Sequence, residues 1–178
     1  MIAIPWLPIF QKTSMYSTVF HAPWNRQLKL TTALSTALLL AIPLILTLKI
    51  PESPSTLYSI AIALPLGILL LCALFAIRGY TIRNNILLIL RPGWKTAIPL
   101  DGLTEAQANP SAMQGSVRLF GNGGLFGYIG LFQNKALGRY RAFATNHDKA
   151  VVLRFPTRTL VVTPDRPEQM AELLQQYC

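Results

Sequence analysis

Lys135, Arg139 and Arg141 place three positive charges in one short stretch, and a run of glycines lies just before them. Seven of the chain's 11 glycines fall between positions 115 and 138, among them Gly121, Gly123, Gly124, Gly127 and Gly130. Clustered cations suit an anionic lipid headgroup or an acidic partner surface; the bland alternative is a solvated strand face. Glycine admits positive φ and close approach of backbones. Large apolar residues (Phe120, Leu125, Phe126, Tyr128, Ile129, Leu131, Phe132) are interleaved with these glycines, whereas a flexible linker would carry serine and charge. The run therefore reads either as a wide, irregular loop folded on its domain or as a docking surface for membrane or protein. It lacks the Gly-Lys-Ser/Thr ending and the strand-to-helix setting of a phosphate-binding loop.

Other chemistry is sparse. His21 lies in an aromatic amino-terminal segment, and His147-Asp148 reads as an exposed turn beside Asn146. Cys72 sits within an apolar stretch and Cys178 at the last position, so both read as free thiols. No Cys/His cluster has metal-ligand spacing, and neither a Gly-x-Ser-x-Gly elbow nor a His-Glu-x-x-His pair occurs. The expectation is no enzyme, no metal and no cofactor. A net charge of +9 would suit nucleic acid, but no recognisable nucleic-acid motif accompanies it.

Of the 178 residues 52% are hydrophobic and 13% charged, against roughly 25% charged in an ordinary soluble domain. The apolar residues are concentrated. Residues 30–48 run without a charge between Lys29 and Lys49, and residues 53–77 do so between Glu52 and Arg78. Since ~20 helical residues cross a bilayer core, spans are expected over 30–48 and 57–77. Each contains one proline, Pro43 or Pro65, and a proline-punctuated loop joins them into a hairpin spanning 30–77. Neither span holds an ionisable Asp, Glu, Lys, Arg or His, which disfavours a transport path. Lys12, Arg26 and Lys29 precede the first span, and Arg78, Arg83, Arg91 and Lys95 follow the second. That bias puts both termini in the cytoplasm. Residues 1–29 carry Trp6, Phe10, Tyr16, Phe20 and Trp24 and do not read as a cleavable signal. They read as a segment lying along the inner interface, or as a tail with chance aromatics.

From about Gly79 the pattern turns to short alternating runs. Strands are expected at 80–83, 86–90, 95–99, 103–107, 117–119, 139–144, 151–155 and 159–163, with Asn84-Asn85 as a tight turn. Met170, Leu173, Leu174 and Tyr177 then mark one face of a terminal helix. Pro167 suits its first turn, and Asp165 with Glu168 has capping-box spacing.

These features resemble the bacterial pleckstrin-homology domain family in its membrane-anchored form. The likeness rests on Tyr80-Thr81-Ile82, the Trp94–Leu100 strand, the glycine stretch 121–130, the run 138–145 and Val161-Val162-Thr163-Pro164-Asp165. It implies a mainly-β barrel of about seven antiparallel strands over residues 79–178, capped by a carboxy-terminal helix, with no catalytic activity. Eukaryotic relatives of this fold place a basic set between their first two strands; here the cluster lies mid-domain.

The expected protein is thus a multi-pass protein of the bacterial inner membrane. It has an interfacial segment (1–29), a transmembrane hairpin (30–77) and a cytoplasmic domain (79–178). Its expected role is non-catalytic binding or scaffolding, with the bilayer, anionic headgroups or another protein as partner and no nucleic acid. The alternative is an accessory subunit of a transport or secretion assembly, contacted through the hairpin.

Overall fold

The computed structural model describes residues 18–49 and 55–178. Two long helices come first, α1 (Arg26–Thr47) and α2 (Thr56–Leu74). Asn25 caps α1 by accepting from the Leu28 N–H at 2.8 Å, and Ser55 caps α2 by accepting from the Tyr58 N–H. Each helix runs through its internal proline. At 1.5 Å per residue they are about 33 Å and about 28 Å long, enough to cross a hydrocarbon core. They pack on each other, with the Tyr58 hydroxyl donating to the Leu46 carbonyl. Little else among the described residues covers them: Leu34, Leu38, Leu64, Leu70 and Leu71 are exposed. A core helix of a soluble protein would bury such residues.

Among the described residues, ten strands form two sheets. The first is an antiparallel meander of β1 (Val19–His21), β2 (Gly79–Arg83), β3 (Ile86–Leu90) and β4 (Lys95–Pro99), in that order. The second contains β5 (Glu105–Ala108), β6 (Val117–Gly123), β7 (Tyr128–Asn134), β8 (Gly138–Ala144), β9 (Val151–Arg154) and β10 (Thr159–Val162). Its order is β5-β9-β10-β8-β7-β6, and β8 and β10 run parallel. Helix α3 (Pro167–Gln175) packs on β5 and β9. The main core lies between the sheets and under α3, where Tyr80, Leu87, Ile89, Leu153, Met170 and Leu174 are fully enclosed. The opposite face of the second sheet has its own apolar layer of Tyr140, Ala142 and Val161, covered by Met113 and Leu28.

Tyr80 ties the sheets together. Its hydroxyl donates to the Phe143 carbonyl at 2.7 Å and accepts from the Thr163 N–H at 3.3 Å. Burial pushes the Tyr80 pKa up to about 12, so the phenol stays protonated and able to donate.

Four expectations change. The sheets are not closed into a barrel, and nine strands follow Arg78, one pair of them parallel. The glycine stretch is no irregular loop: β6 and β7 pair along it, with a bulge between Arg118 and Phe120. Glycine disguised the strand, because its period-two apolar pattern is broken wherever a side chain is missing. Asp165 does not cap α3, whose N-cap is Arg166 without a side-chain bond. Asp165 instead accepts from the His21 N–H through Oδ1 at 3.1 Å and donates its own N–H to the His21 carbonyl at 2.8 Å. His147 lies in a short 3-10 turn and stacks on Tyr128 rather than standing free.

The aromatic segment also yields a strand that local pattern did not reveal. Val19–His21 pairs with Gly79–Thr81, and Phe20 is 0% exposed. Trp6, Phe10 and Tyr16 lie outside the described residues.

Candidate functional site

Two contacts lock the helices to the β domain, and a trough opens beside them. The first contact is the end of the β6–β7 hairpin against α1. The Thr31 hydroxyl donates to the Gly124 carbonyl at 2.8 Å, and the Thr32 hydroxyl accepts from the Phe126 N–H at 3.1 Å. Phe126 adopts φ +62°, an unfavourable value for a side chain, and packs edge-on against Trp24. A side chain at Gly124 would meet the Thr31 hydroxyl at 3.2 Å, so glycine permits the approach.

The second contact is the β3–β4 turn against the end of α2. The Trp94 indole donates to the Leu74 carbonyl at 3.1 Å. Arg91 donates to the Phe75 carbonyl and, through Nε, to the Thr96 hydroxyl at 3.0 Å. Carbonyls at a helix end lack intrahelical partners, so a cation and an indole N–H complete them. Arg91 is 7% exposed, its guanidinium 4.7 Å from the Trp94 ring centre and 5.9 Å from that of Phe143. No carboxylate pairs with it among the described residues. Burial lowers its pKa, but a guanidinium remains charged at any physiological pH.

The trough lies where β4, the edge of the first sheet, faces β6, β7 and β8 of the second. Alternation along β8 puts Arg139, Arg141 and Phe143 on the face turned toward β4. Phe143 is buried, whereas Arg141 and Arg139, nearer the strand's start, are exposed. Cross-strand registry sets Leu131 beside Arg141, and Ile129 beside Phe143. Two cavities share Thr96, Leu131, Arg141 and Phe143. The apolar one, 660 Å³, runs up to Leu71 and Phe75 of α2; the other, 400 Å³, holds Arg139, Arg141 and Arg158. Arg91, Arg139, Arg141 and Arg158 line this continuous trough, and no acidic residue among the described residues does.

Lys135, Arg139 and Arg141 therefore separate in space. Arg139 and Arg141 share the trough; Lys135 is exposed in the β7–β8 turn and lines neither cavity. Gly121 and Gly130 face each other across β6 and β7, both with positive φ, and a Cβ on Gly121 would sit 2.8 Å from the Gly130 Cα. Gly123 packs beside Arg118, and Gly127 beside Ile129. Arg91 and Arg158 were not singled out as site residues by sequence. Arg91 reads as a turn residue flanking a span, and only the fold carries it inward. No group of three or more metal-ligating side chains occurs among the described residues.

Two open sheets with a carboxy-terminal helix across them, joined to a pair of apolar helices, define the class. Residues 78–177 match the family described as Bacterial PH domain, and the chain belongs to that family. No curated protein and no solved structure matches the chain.

Proposed function

We propose that this chain is a membrane-anchored PH-domain protein that acts as a non-catalytic binding or scaffolding module at the cytoplasmic face of the bacterial inner membrane. The observation that carries the reading is the pair of α1 and α2, long, charge-free through their apolar stretches and bare of cover, continuous with a bacterial PH domain. A hairpin over 30–77 spans the bilayer, residues 79–178 form the cytoplasmic domain, and the amino-terminal segment lies at the inner interface. Within that segment, Val19–His21 and Leu28 also serve the domain. Both termini are cytoplasmic, in keeping with the basic residues that flank the hairpin. The bilayer and anionic headgroups are partners, with Lys135, Arg139 and Arg141 as contacts. The glycine hairpin 121–130 holds the domain against α1.

Support for a protein partner comes from β6, an edge strand with Val117, Leu119 and Phe120 exposed. Such an edge invites pairing or apolar contact. A protein partner on that edge fits the scaffolding role; the second reading is an accessory subunit of a transport or secretion assembly, contacted through the hairpin.

The test is fractionation with topology reporters. The full chain should resist alkaline carbonate extraction. Alkaline phosphatase fused after Cys178 should be inactive, and a green fluorescent protein there bright. Release by carbonate would overturn the anchoring, and active phosphatase would overturn the orientation.

A further inference from the structure

The trough has a shape and charge pattern that general attraction to a membrane does not require. We propose that it binds one anionic phospholipid of the inner leaflet, with an acyl chain in its apolar half and the phosphate against Arg139, Arg141 and Arg158. The proposal rests on the membrane reading above.

Three observations carry it. The apolar half abuts Leu71 and Phe75, in the last turn and cap of a helix read as a span, so it opens where a lipid chain is available. Its 660 Å³ falls within the range of about 300–1,000 Å³ typical of small-molecule sites. The far half is lined by Arg139, Arg141 and Arg158, all exposed. Second, charge within the trough is of one sign. Arg91 lines the apolar half, nine-tenths buried and without a carboxylate among the described residues, and its field favours an anion in the trough. Third, the polar and apolar groups are in an order that matches one amphiphile. Going from α2 along the second sheet, Ile129 pairs with Phe143 first, Leu131 then pairs with Arg141, and Arg139 follows, with Arg158 in the far cavity. A guanidinium offers paired N–H donors matched to phosphate oxygens. A peptide partner at the β4 edge would need backbone pairing and would gain nothing from four arginines unless it were acidic.

The experiment uses the full chain, purified in mild detergent and examined by native mass spectrometry against added phosphatidylglycerol or phosphatidylcholine. One phosphatidylglycerol should be retained per chain, and phosphatidylcholine at least tenfold less. Arg141→Gln with Arg139→Gln should reduce retention at least tenfold, and Arg158→Gln alone several-fold. Ile129→Trp, which fills the apolar half, should also reduce it. Arg83→Gln removes the same charge as Arg158→Gln at an exposed position that lines neither cavity, and should leave retention unchanged. All these variants except Ile129→Trp alter exposed side chains, and a melt by circular dichroism checks each fold. Equal loss from Arg83→Gln would overturn the proposal in favour of diffuse attraction. Displacement by inorganic phosphate at matching concentration would reduce the trough to an anion site without a lipid role. Equal retention of the two lipids, or an acidic peptide outcompeting phosphatidylglycerol, would also overturn it. Carbonate extraction reads the membrane anchoring separately, so the two failures are distinguishable.

Discussion

Arg91 carries two loads at once, closing the end of α2 and bringing a buried positive charge to the trough. Arg91→Ala leaves the Phe75 carbonyl without its donor and removes stacking on Trp94. A cost of about 1–3 kcal/mol is expected, read as a lower melting temperature in detergent. Arg91→Lys should recover only part of it, because an ammonium cannot reach two acceptors in the guanidinium's fixed fork. Gly130 is constrained from the other side. Its φ is +143°, and a Cβ there would run into the Phe120 carbonyl. Gly130→Ala should destabilise by more than about 1 kcal/mol, with the loss of amide protection confined at first to β6 and β7. His147 sets a pH dependence. Burial lowers its pKa from 6.5, with Asp148 opposing. The unfolded chain then binds the proton more readily, so the contribution is complete above about pH 6.5 and is lost as pH falls through the folded value. Thermal melts between pH 8 and pH 5 should show that decline, and His147→Gln should flatten it.

At the scale of elements, β1 and the β6–β7 hairpin bind the amino-terminal part of the chain to the domain that follows α2. Phe20→Ala empties a fully enclosed position in the main core. The expected loss is about 3–5 kcal/mol by chemical denaturation, the cost of a large core truncation. A surface aromatic on an interfacial tail would cost almost nothing, so the size of the effect is diagnostic. Thr32→Val keeps the shape but removes the acceptor for the Phe126 N–H and a donor to Gly124. Hydrogen exchange at residues 124–128 should rise while the sheet cores stay protected. Because Thr31 also holds Gly124, the hairpin should loosen from α1 without melting.

For the whole molecule, the two cysteines report orientation. Cys72 lies within α2 and Cys178 is exposed after α3. A membrane-impermeant maleimide should therefore label Cys178 in inverted vesicles and leave it untouched in intact spheroplasts. Labelling from outside would place the β domain on the other face. The two clamps, one on each helix, also mean that movement between α1 and α2 would be felt by the sheets at both Gly124 and Arg91. Residues from Arg78 onward carry 12 basic and 6 acidic side chains. On the proposed membrane reading, an anionic leaflet would draw such a domain by about 1 kcal/mol per well-placed cation.

Much of this architecture follows from neighbouring residues. Charge-free runs of span length mark α1 and α2, and Asn84-Asn85 at positive φ forms the turn that asparagine permits. The i, i+3, i+4 spacing of Met170, Leu173 and Leu174 marks α3. These are local properties, set by side-chain period and backbone preference within a few residues. What needed the tertiary structure is non-local. Phe20 enters the core only because β1 meets β2 from the far side of both helices, and Asp165 leaves α3 uncapped to hold His21. Lys135 parts from Arg139 and Arg141 because the β7–β8 turn ends one pleated face and β8 begins another. Arg91 and Arg158, far apart in the chain, line one trough with them because the two sheets remain open along β4. A charge cluster in sequence becomes a site in space only through strand registry and sheet packing, and neither is encoded in the spacing of adjacent residues.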